Sequence, residues 1–259
     1  MATSILATST WGDPNASKRA IAIPGLTSCS HSWVRVAAQL VKAGYYVVAP
    51  DLLGHGYASR PSTSNGAEYT VDKLTANIRP LLSHPASTAP VSLIIGHSLG
   101  CLVALSLLSD LPGNSTRIVL VDPALEVPPE MMAIVREDCV KAVNQVATVE
   151  QMAADHPLWE RQDVIAKVTG ELLCDEGVVN AILDQNTPWS FGHLLSDHSS
   201  EEIIFIAGDR TCGSVWSADQ IQTLKQTYPH MKIFAVDGAS HSVHREFPEI
   251  VVAEALRDA

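Results

Sequence analysis

The chain has 259 residues, of which 46% are hydrophobic and 17% charged, and its formal net charge at pH 7 is −11. This composition is typical of a globular protein with a large core and argues against a disordered chain. The negative charge argues against broad nucleic-acid binding, because nucleic-acid phosphates would be repelled. We expect no membrane partner either, because no apolar stretch is long enough to cross a bilayer.

The cysteines and the N-terminus indicate a cellular compartment. The chain has 5 cysteines, which are widely scattered and include no C-x-x-C pair or zinc-ligand spacing. Such a pattern is typical of reduced thiols. The N-terminus has no basic flank followed by a long apolar run, so we see no signal peptide. We therefore expect a cytoplasmic protein, a monomer or homodimer, without a metal ion.

Short apolar runs alternate with helical patterns along the first half of the chain. In chain order, the patterns predict strands over residues 19–23, 45–50, 91–95 and 117–121, with helices over residues 32–43, 71–81 and 98–111 between them. Thr70 can cap the second of these helices. Strands that alternate with helices indicate a parallel sheet, because parallel neighbours need crossover connections.

The alternation stops between residues 126 and 198, where only helical patterns occur. It resumes with strands over residues 203–207 and 232–236 and with helices over residues 217–227 and 248–257. The sequence therefore predicts an α/β core formed by residues 1–125 and 199–259, interrupted by a helical cap, or lid, over residues 126–198.

The sharpest motif is Gly96-His97-Ser98-Leu99-Gly100. It directly follows an apolar strand and directly precedes a helix, which is the context that a G-x-S-x-G nucleophile elbow requires. The tight turn forces the serine into a strained conformation that lifts its hydroxyl clear of the sheet. We predict Ser98 as the nucleophile of a serine hydrolase.

A serine hydroxyl needs a base, and the base needs an acid. His241, in the loop after the last predicted strand, is the candidate base. Asp209, after the strand 203–207, is our prediction for the acid, because it follows a late strand close to the histidine loop. Asp122, at the end of the strand 117–121, is the alternative, since both strand ends face the same edge of the sheet.

The tetrahedral intermediate of such a reaction needs two backbone N–H donors for its oxyanion. We assign one to Leu99, the residue after the nucleophile. The other comes from the loop Pro24-Gly25-Leu26-Thr27, where Leu26 is the candidate donor and glycine lets the backbone approach the substrate.

With these motifs in this order, the chain resembles α/β-hydrolase fold enzymes of the serine esterase, lipase, lactonase and C–C hydrolase type. The matching stretches are PGLTSCSHSW from Pro24, APDLLGHGYASRP from Ala49, GHSLG from Gly96, AGDRT from Ala207 and GASHSVHREFPE from Gly238. The resemblance implies a mostly parallel eight-stranded sheet flanked by helices, a helical cap after the sixth strand, the triad Ser98–Asp209–His241, and no cofactor. The family usually has histidine where this chain has Pro24, which leaves the shape of the oxyanion loop open.

The substrate pocket is expected above Ser98, lined in part by apolar cap residues. The candidate lining residues are Gly25, Thr27, His97, Met131, Trp159, Trp189 and Phe191. Other apolar cap residues, such as Met132, Ile134, Met152, Leu158 and Leu194, are equally compatible with packing of the cap onto the core.

These observations predict hydrolysis of a small, largely apolar ester or lactone through an acyl-enzyme. Serine at the elbow argues against the alkyl-enzyme chemistry of dehalogenases and epoxide hydrolases. A C–C bond hydrolase or an acyltransferase could use the same triad. A hydrolase-derived small-molecule receptor is the alternative from another class, because fold alone does not determine function, and a catalytically dead scaffold is a further one.

Overall fold

A computed structural model of the protein describes residues 6–62, 67–83, 87, 89–111, 116–196 and 202–257. The described residues form one seven-stranded sheet with the strand order β1-β3-β2-β4-β5-β6-β7. The strands are β1 (Thr8–Trp11), β2 (Lys18–Ile23), β3 (Tyr45–Pro50), β4 (Val91–His97), β5 (Arg117–Val121), β6 (Ile203–Ala207) and β7 (Lys232–Ala235). β1 pairs with β3 in the antiparallel direction, and the neighbours from β3 to β7 pair in parallel.

Helices cover both faces of this sheet. They are α1 (Val34–Lys42), α2 (Val71–Ile78), α3 (Leu99–Leu107), α4 (Pro129–Asn144), α5 (Val149–Asp155), α6 (Arg161–Leu172), α7 (Glu176–Gln185), α8 (His193–Ser196), α9 (Ala218–Thr227), α10 (Val243–Glu246) and α11 (Pro248–Leu256). Thr70 caps α2 as predicted, because its side chain accepts a hydrogen bond from the backbone N–H of Lys73.

The core consists of two apolar layers on opposite faces of the sheet. Successive residues of a strand point to opposite faces, so Ile118 and Leu120 of β5 pack in the layer of α2 and α3. Val119 and Val121 pack in the layer of α1 and α11. The central strands are apolar on both faces, as a sheet covered by helices requires.

The predicted class, an α/β fold with a mostly parallel sheet, is confirmed, and two details are corrected. The described residues contain seven strands rather than eight. The helical segment therefore follows the fifth of these strands rather than the sixth, since α4 to α8 lie between β5 and β6. β1 was not predicted, because its burial alternates only between intermediate and exposed positions and its short sequence has no apolar run.

One edge of the sheet holds the carboxyl ends of β4, β5, β6 and β7, because these four strands are neighbours and run parallel. In an open α/β sheet, ligands bind outside the carboxyl ends of the strands. The segments that follow these four strands carry the candidate site.

Candidate active site

Ser98 lies in the turn between β4 and α3, with φ 51° and ψ −117°. This is a strained conformation for a residue other than glycine. The glycines on either side allow the turn. A Cβ on Gly96 would lie 2.6 Å from the carbonyl oxygen of Gly100, and a Cβ on Gly100 would lie 2.4 Å from that of Ile23. The predicted strand–turn–helix context of the elbow is therefore present.

His241 lies in the loop between β7 and α10. Its Nδ1 is 2.5 Å from Oδ2 of Asp122. Asp122 directly follows β5 and is completely buried. The φ angle of Asp122 is 43°, so its backbone is strained, like that of Ser98. The structure thus brings His241 and Asp122 together beside the elbow.

The Asp122 carboxylate accepts three further hydrogen bonds. The donors are the Ser214 hydroxyl at 2.6 Å, the Gly208 N–H at 2.9 Å and the Val215 N–H at 3.1 Å. Burial alone would raise the pKa of Asp122, but the hydrogen bonds from His241, Ser214 and Gly208 outweigh it and hold this pKa below its usual value. An ionised Asp122 accepts a hydrogen bond from Nδ1–H of His241, and in the neutral imidazole this leaves Nε2 as the ring nitrogen with a free lone pair.

The structure places Asp122 beside His241, and it does not place the predicted acid, Asp209, there. The Asp209 carboxylate accepts hydrogen bonds from the backbone N–H and the hydroxyl of Thr211, at 2.8 and 2.7 Å, and from the Gly238 N–H at 3.1 Å. These bonds, first of all the one from the Thr211 hydroxyl, lower the pKa of Asp209. Asp209 caps a short 3₁₀ turn while Asp122 occupies the position beside His241.

The His97 ring packs at a tilt against the rings of both His241 and His244. The ring of His97 lies 4.6 Å from that of His241 and 4.4 Å from that of His244. His97 Nε2 donates to the carbonyl oxygen of His241 at 2.8 Å, which fixes the backbone that carries the candidate base. Burial, followed by the neighbouring His241, holds the pKa of His97 well below its usual value. His97 is therefore a neutral support of His241.

Leu26 and Leu99 flank the same space. Leu99 is the first residue of α3, so its N–H has no partner within the helix. The loop that carries Leu26 passes close to the elbow, since a Cβ on Gly25 would lie 3.1 Å from Cβ of Ser98. Thr27 has φ 57°, which turns the chain away after Leu26. The two predicted oxyanion donors are thus on segments that meet at Ser98.

A cavity of about 360 Å³ opens above Ser98. It is bounded by the sheet edge and by the helices between β5 and β6. Ten of its lining residues carry apolar side chains, nine carry polar or charged ones, and one is glycine. The lining residues are Leu26, Thr27, Ser28, His97, Ser98, Leu99, Ala124, Val127, Val135, Asp138, Cys139, Ala142, Lys167, Leu183, Trp189, Gly213, Val215, His241, Ser242 and Arg245.

Several predicted pocket residues lie elsewhere. Met131 is 36% exposed on α4, Phe191 packs edge-on against Trp189, and Trp159 lies beneath the Arg245 guanidinium. None of these three lines the cavity, and Gly25 is buried behind it. Three of these four residues lie in the predicted cap, where the sequence alone does not distinguish apolar residues that pack the interior from apolar residues that line a pocket.

Among the lining residues that sequence reasoning missed, α4 contributes four, α6, α7 and α10 contribute one each, and the others lie in loops. On α4, the side chains of Val135, Asp138, Cys139 and Ala142 face the cavity, and their spacing is that of one helical face. The pattern was therefore visible, although the sequence did not indicate which face of α4 turns towards Ser98. Lys167 and Arg245 could not be assigned from sequence, because charged residues are normally solvated.

Neither a metal site nor a membrane span is found in the part of the chain that the structure describes. There, no group of three or more His, Cys, Asp or Glu side chains is arranged to hold a metal ion. No described helix combines the length and the hydrophobicity that a bilayer span needs.

Comparison with known proteins finds a matching family and individual relatives. The sequence profile of the alpha/beta hydrolase family matches residues 20–255. Lipase LipV of Mycobacterium tuberculosis is 33% identical over 112 residues, which are 43% of this chain and 40% of the lipase. The chain thus spans well under half the length of this relative.

Solved structures match nearly the whole chain. The thioesterase domain from the curacin biosynthetic pathway superposes with a TM-score of 0.72 at 19% identity, covering 99% of this chain and 96% of that one. An esterase from Exiguobacterium antarcticum superposes with a TM-score of 0.73 at 12% identity, covering 96% and 93% of the two chains. At such identities these similarities show a shared fold.

Proposed function

The chain belongs to the alpha/beta hydrolase family, and on this basis we propose that it is a serine hydrolase of small, largely apolar carboxylic esters or lactones. The observation that carries the proposal is the contact of 2.5 Å between His241 Nδ1 and Asp122 Oδ2. It lies at a cavity that both Ser98 and His241 line. We propose in addition that residues 126–198, of which 197 and 198 lie outside the described residues, act as a lid over the site.

In the proposed reaction, Ser98 Oγ attacks the ester carbonyl carbon while His241 Nε2 takes the serine proton. Asp122 holds the imidazole in the required tautomer and stabilises the imidazolium that forms. The N–H groups of Leu26 and Leu99 stabilise the oxyanion of the tetrahedral intermediate. His241 then protonates the leaving alcohol, and a water molecule releases the acid from the acyl-enzyme by the reverse sequence of proton transfers.

The composition of the cavity supports an apolar acyl group. Val127, Val135, Leu183 and Trp189 are among its lining residues, and burying a hydrocarbon chain against them is favoured by roughly 25 cal/mol per Å². The volume of about 360 Å³ suits a small substrate, since ligand pockets commonly measure about 300–1,000 Å³.

Labelling with a fluorophosphonate tests the nucleophile. We expect rapid modification of the wild-type protein at Ser98, shown by peptide mapping, and none of Ser98→Ala. Absence of labelling in a folded wild-type protein would contradict an assembled triad.

A substrate comparison tests the reaction class. We expect multiple turnovers on short-chain p-nitrophenyl esters or lactones, with kcat reduced at least ~10⁴-fold in Ser98→Ala. Faster cleavage of a β-diketone would favour C–C hydrolysis, and ester formation with an added alcohol would favour acyl transfer. A single slow turnover would favour a receptor.

A further inference from the structure

Arg245 is a buried cation in the wall of the cavity. It lies on α10, shortly after His241 in the chain, and only 2% of its surface is exposed. It lines the cavity together with Ser98 and His241. The proposed ester chemistry makes no use of a positive charge at this place.

The contacts of Arg245 leave its charge unpaired. Its guanidinium donates one hydrogen bond of 3.1 Å to the Ser28 hydroxyl and lies 4.7 Å from the centre of the Trp159 ring. Its Nε has no hydrogen-bond partner. Among the described residues no carboxylate lies within ion-pair distance of Arg245, which distinguishes it from Arg35, paired with Asp163 at 3.0 Å.

The carboxylates near Arg245 are engaged elsewhere. Asp163 accepts from Arg35, and Glu246 accepts from the Trp159 indole and from the Ser240 backbone and hydroxyl. These contacts hold Trp159 and the loop before α10 in place, so the guanidinium is positioned rigidly between a hydroxyl and an aromatic ring.

Two other charged residues line the cavity. Lys167 is paired with the Glu171 carboxylate at 3.0 Å and donates to the Thr27 hydroxyl at 3.0 Å, so its charge is compensated within the protein. Asp138 is exposed to solvent on α4. Arg245 therefore remains as the uncompensated buried charge at this cavity, within the described part of the chain.

A buried charge without a partner is costly, and a matching ligand charge removes that cost. The planar guanidinium favours a carboxylate, which it can bind through two parallel hydrogen bonds. We propose that Arg245 binds a carboxylate of the substrate. The preferred substrate would then carry a carboxylate at one end, a short hydrocarbon chain and the scissile ester at the other end, as in a half-ester of an aliphatic dicarboxylic acid.

This inference rests on the proposed function and extends it to a substrate class. A matched pair of substrates tests it: the p-nitrophenyl half-ester of glutaric acid, and p-nitrophenyl valerate, in which a methyl group replaces the carboxylate. We expect kcat/KM of the wild-type protein to favour the half-ester by at least ~10-fold, the range of a hydrogen bond to a charged group. Equal or better hydrolysis of the valerate ester would overturn the inference and leave the proposed function intact.

Variants assign the preference to Arg245. Arg245→Gln should abolish the preference, mainly through KM for the half-ester, whereas Arg245→Lys should retain part of it. Arg79→Gln, which removes an exposed arginine paired with Asp110, is the matched control and should keep the wild-type preference. If Arg245→Gln does not fold, Ser28→Ala should still weaken the preference, because it removes the hydroxyl that orients the guanidinium. An unchanged preference in either variant would overturn the assignment.

Binding without turnover separates the two proposals. Calorimetric titration of the wild-type protein should detect glutarate, and Arg245→Gln should bind it at least ~10-fold more weakly. Arg245-dependent glutarate binding without hydrolysis of either ester would overturn the proposed function and support the carboxylate site. Inorganic phosphate is the rival anion, and tighter binding of phosphate than of glutarate would contradict carboxylate recognition.

Discussion

Two aspartates compete for one role at the edge of the sheet, and their environments separate them. Asp122 is completely buried and accepts from His241, Ser214, Gly208 and Val215. A buried ionised carboxylate needs such donors to offset its desolvation. Asp209 instead stabilises a turn at the surface, and its hydrogen bonds from Thr211 make it a local structural residue.

We therefore expect Asp122→Asn to lower kcat by ~10³–10⁴-fold, because an amide cannot hold the His241 tautomer or stabilise its imidazolium. Asp209→Asn should change kcat by less than about threefold, since this side chain makes no hydrogen bond to His241 and an asparagine oxygen can still accept the two hydrogen bonds from Thr211. Steady-state kinetics on one ester, with circular dichroism as the folding control, compares the two variants. A larger loss in Asp209→Asn would contradict the assignment of the acid.

At the scale of elements, the elbow depends on how closely α3 approaches the end of β2. A Cβ on Gly100 would lie 2.4 Å from the carbonyl oxygen of Ile23 and 2.6 Å from that of Pro24, which is too close for either contact. These are backbone atoms of a strand end, so they cannot move aside as a flexible side chain would. The absence of a side chain at Gly100 thus allows α3 to approach the sheet this closely.

Gly100→Ala should lower the free energy of unfolding by about 1–3 kcal/mol, the usual cost of overpacking, measured by urea denaturation. Gly192→Ala is the matched control, because a Cβ there would meet only the Glu126 carboxylate, at 2.9 Å. We expect it to cost less than about 0.5 kcal/mol. Equal losses in the two variants would show that close backbone approach is not the cause.

At the scale of the whole molecule, stability should depend on pH through three histidines that are buried within the described residues. Burial lowers the pKa of His55 to about 4, and burial, followed by charged or ring neighbours, lowers those of His97 and His244. In the unfolded chain each histidine takes up a proton below about pH 6.5. Between that pH and the folded pKa the unfolded state holds more protons, so stability falls as the pH falls.

The free energy of unfolding should therefore decrease between about pH 6.5 and 4, as measured by urea denaturation across that range. His55→Asn should reduce the slope by about 1.4 kcal/mol per pH unit, the contribution of one proton. Replacing the exposed His230 by asparagine serves as the control. If the free energy of unfolding of His55→Asn depends on pH as steeply as that of the wild-type protein, His55 does not link stability to pH.

The helices between β5 and β6 also connect to the core through charged groups. Asp163 of α6 is completely buried and pairs with Arg35 of α1, and Arg35 also donates to the Arg245 carbonyl oxygen at 2.5 Å. Breaking a buried pair leaves an uncompensated charge, which is strongly unfavourable. This link joins α6, α1 and α10 around the base of the cavity.

Much of this molecule followed from local sequence. Apolar runs at strand length, Thr70 before a helical face, and glycines around Ser98 are local signals, because backbone sterics and short-range hydrogen bonds determine them. The same signals located His241 after the last strand. Chain order at the strand ends was enough to propose a nucleophile and a base.

Other features were decided by the tertiary structure, because they depend on which strands are neighbours and on where loop side chains turn. β5 lies between β4 and β6, which places Asp122 rather than Asp209 against His241. The face of α4 that lines the cavity depends in the same way on long-range packing. So does the burial of Arg245 without an acidic partner, since its sequence context resembles that of any surface arginine.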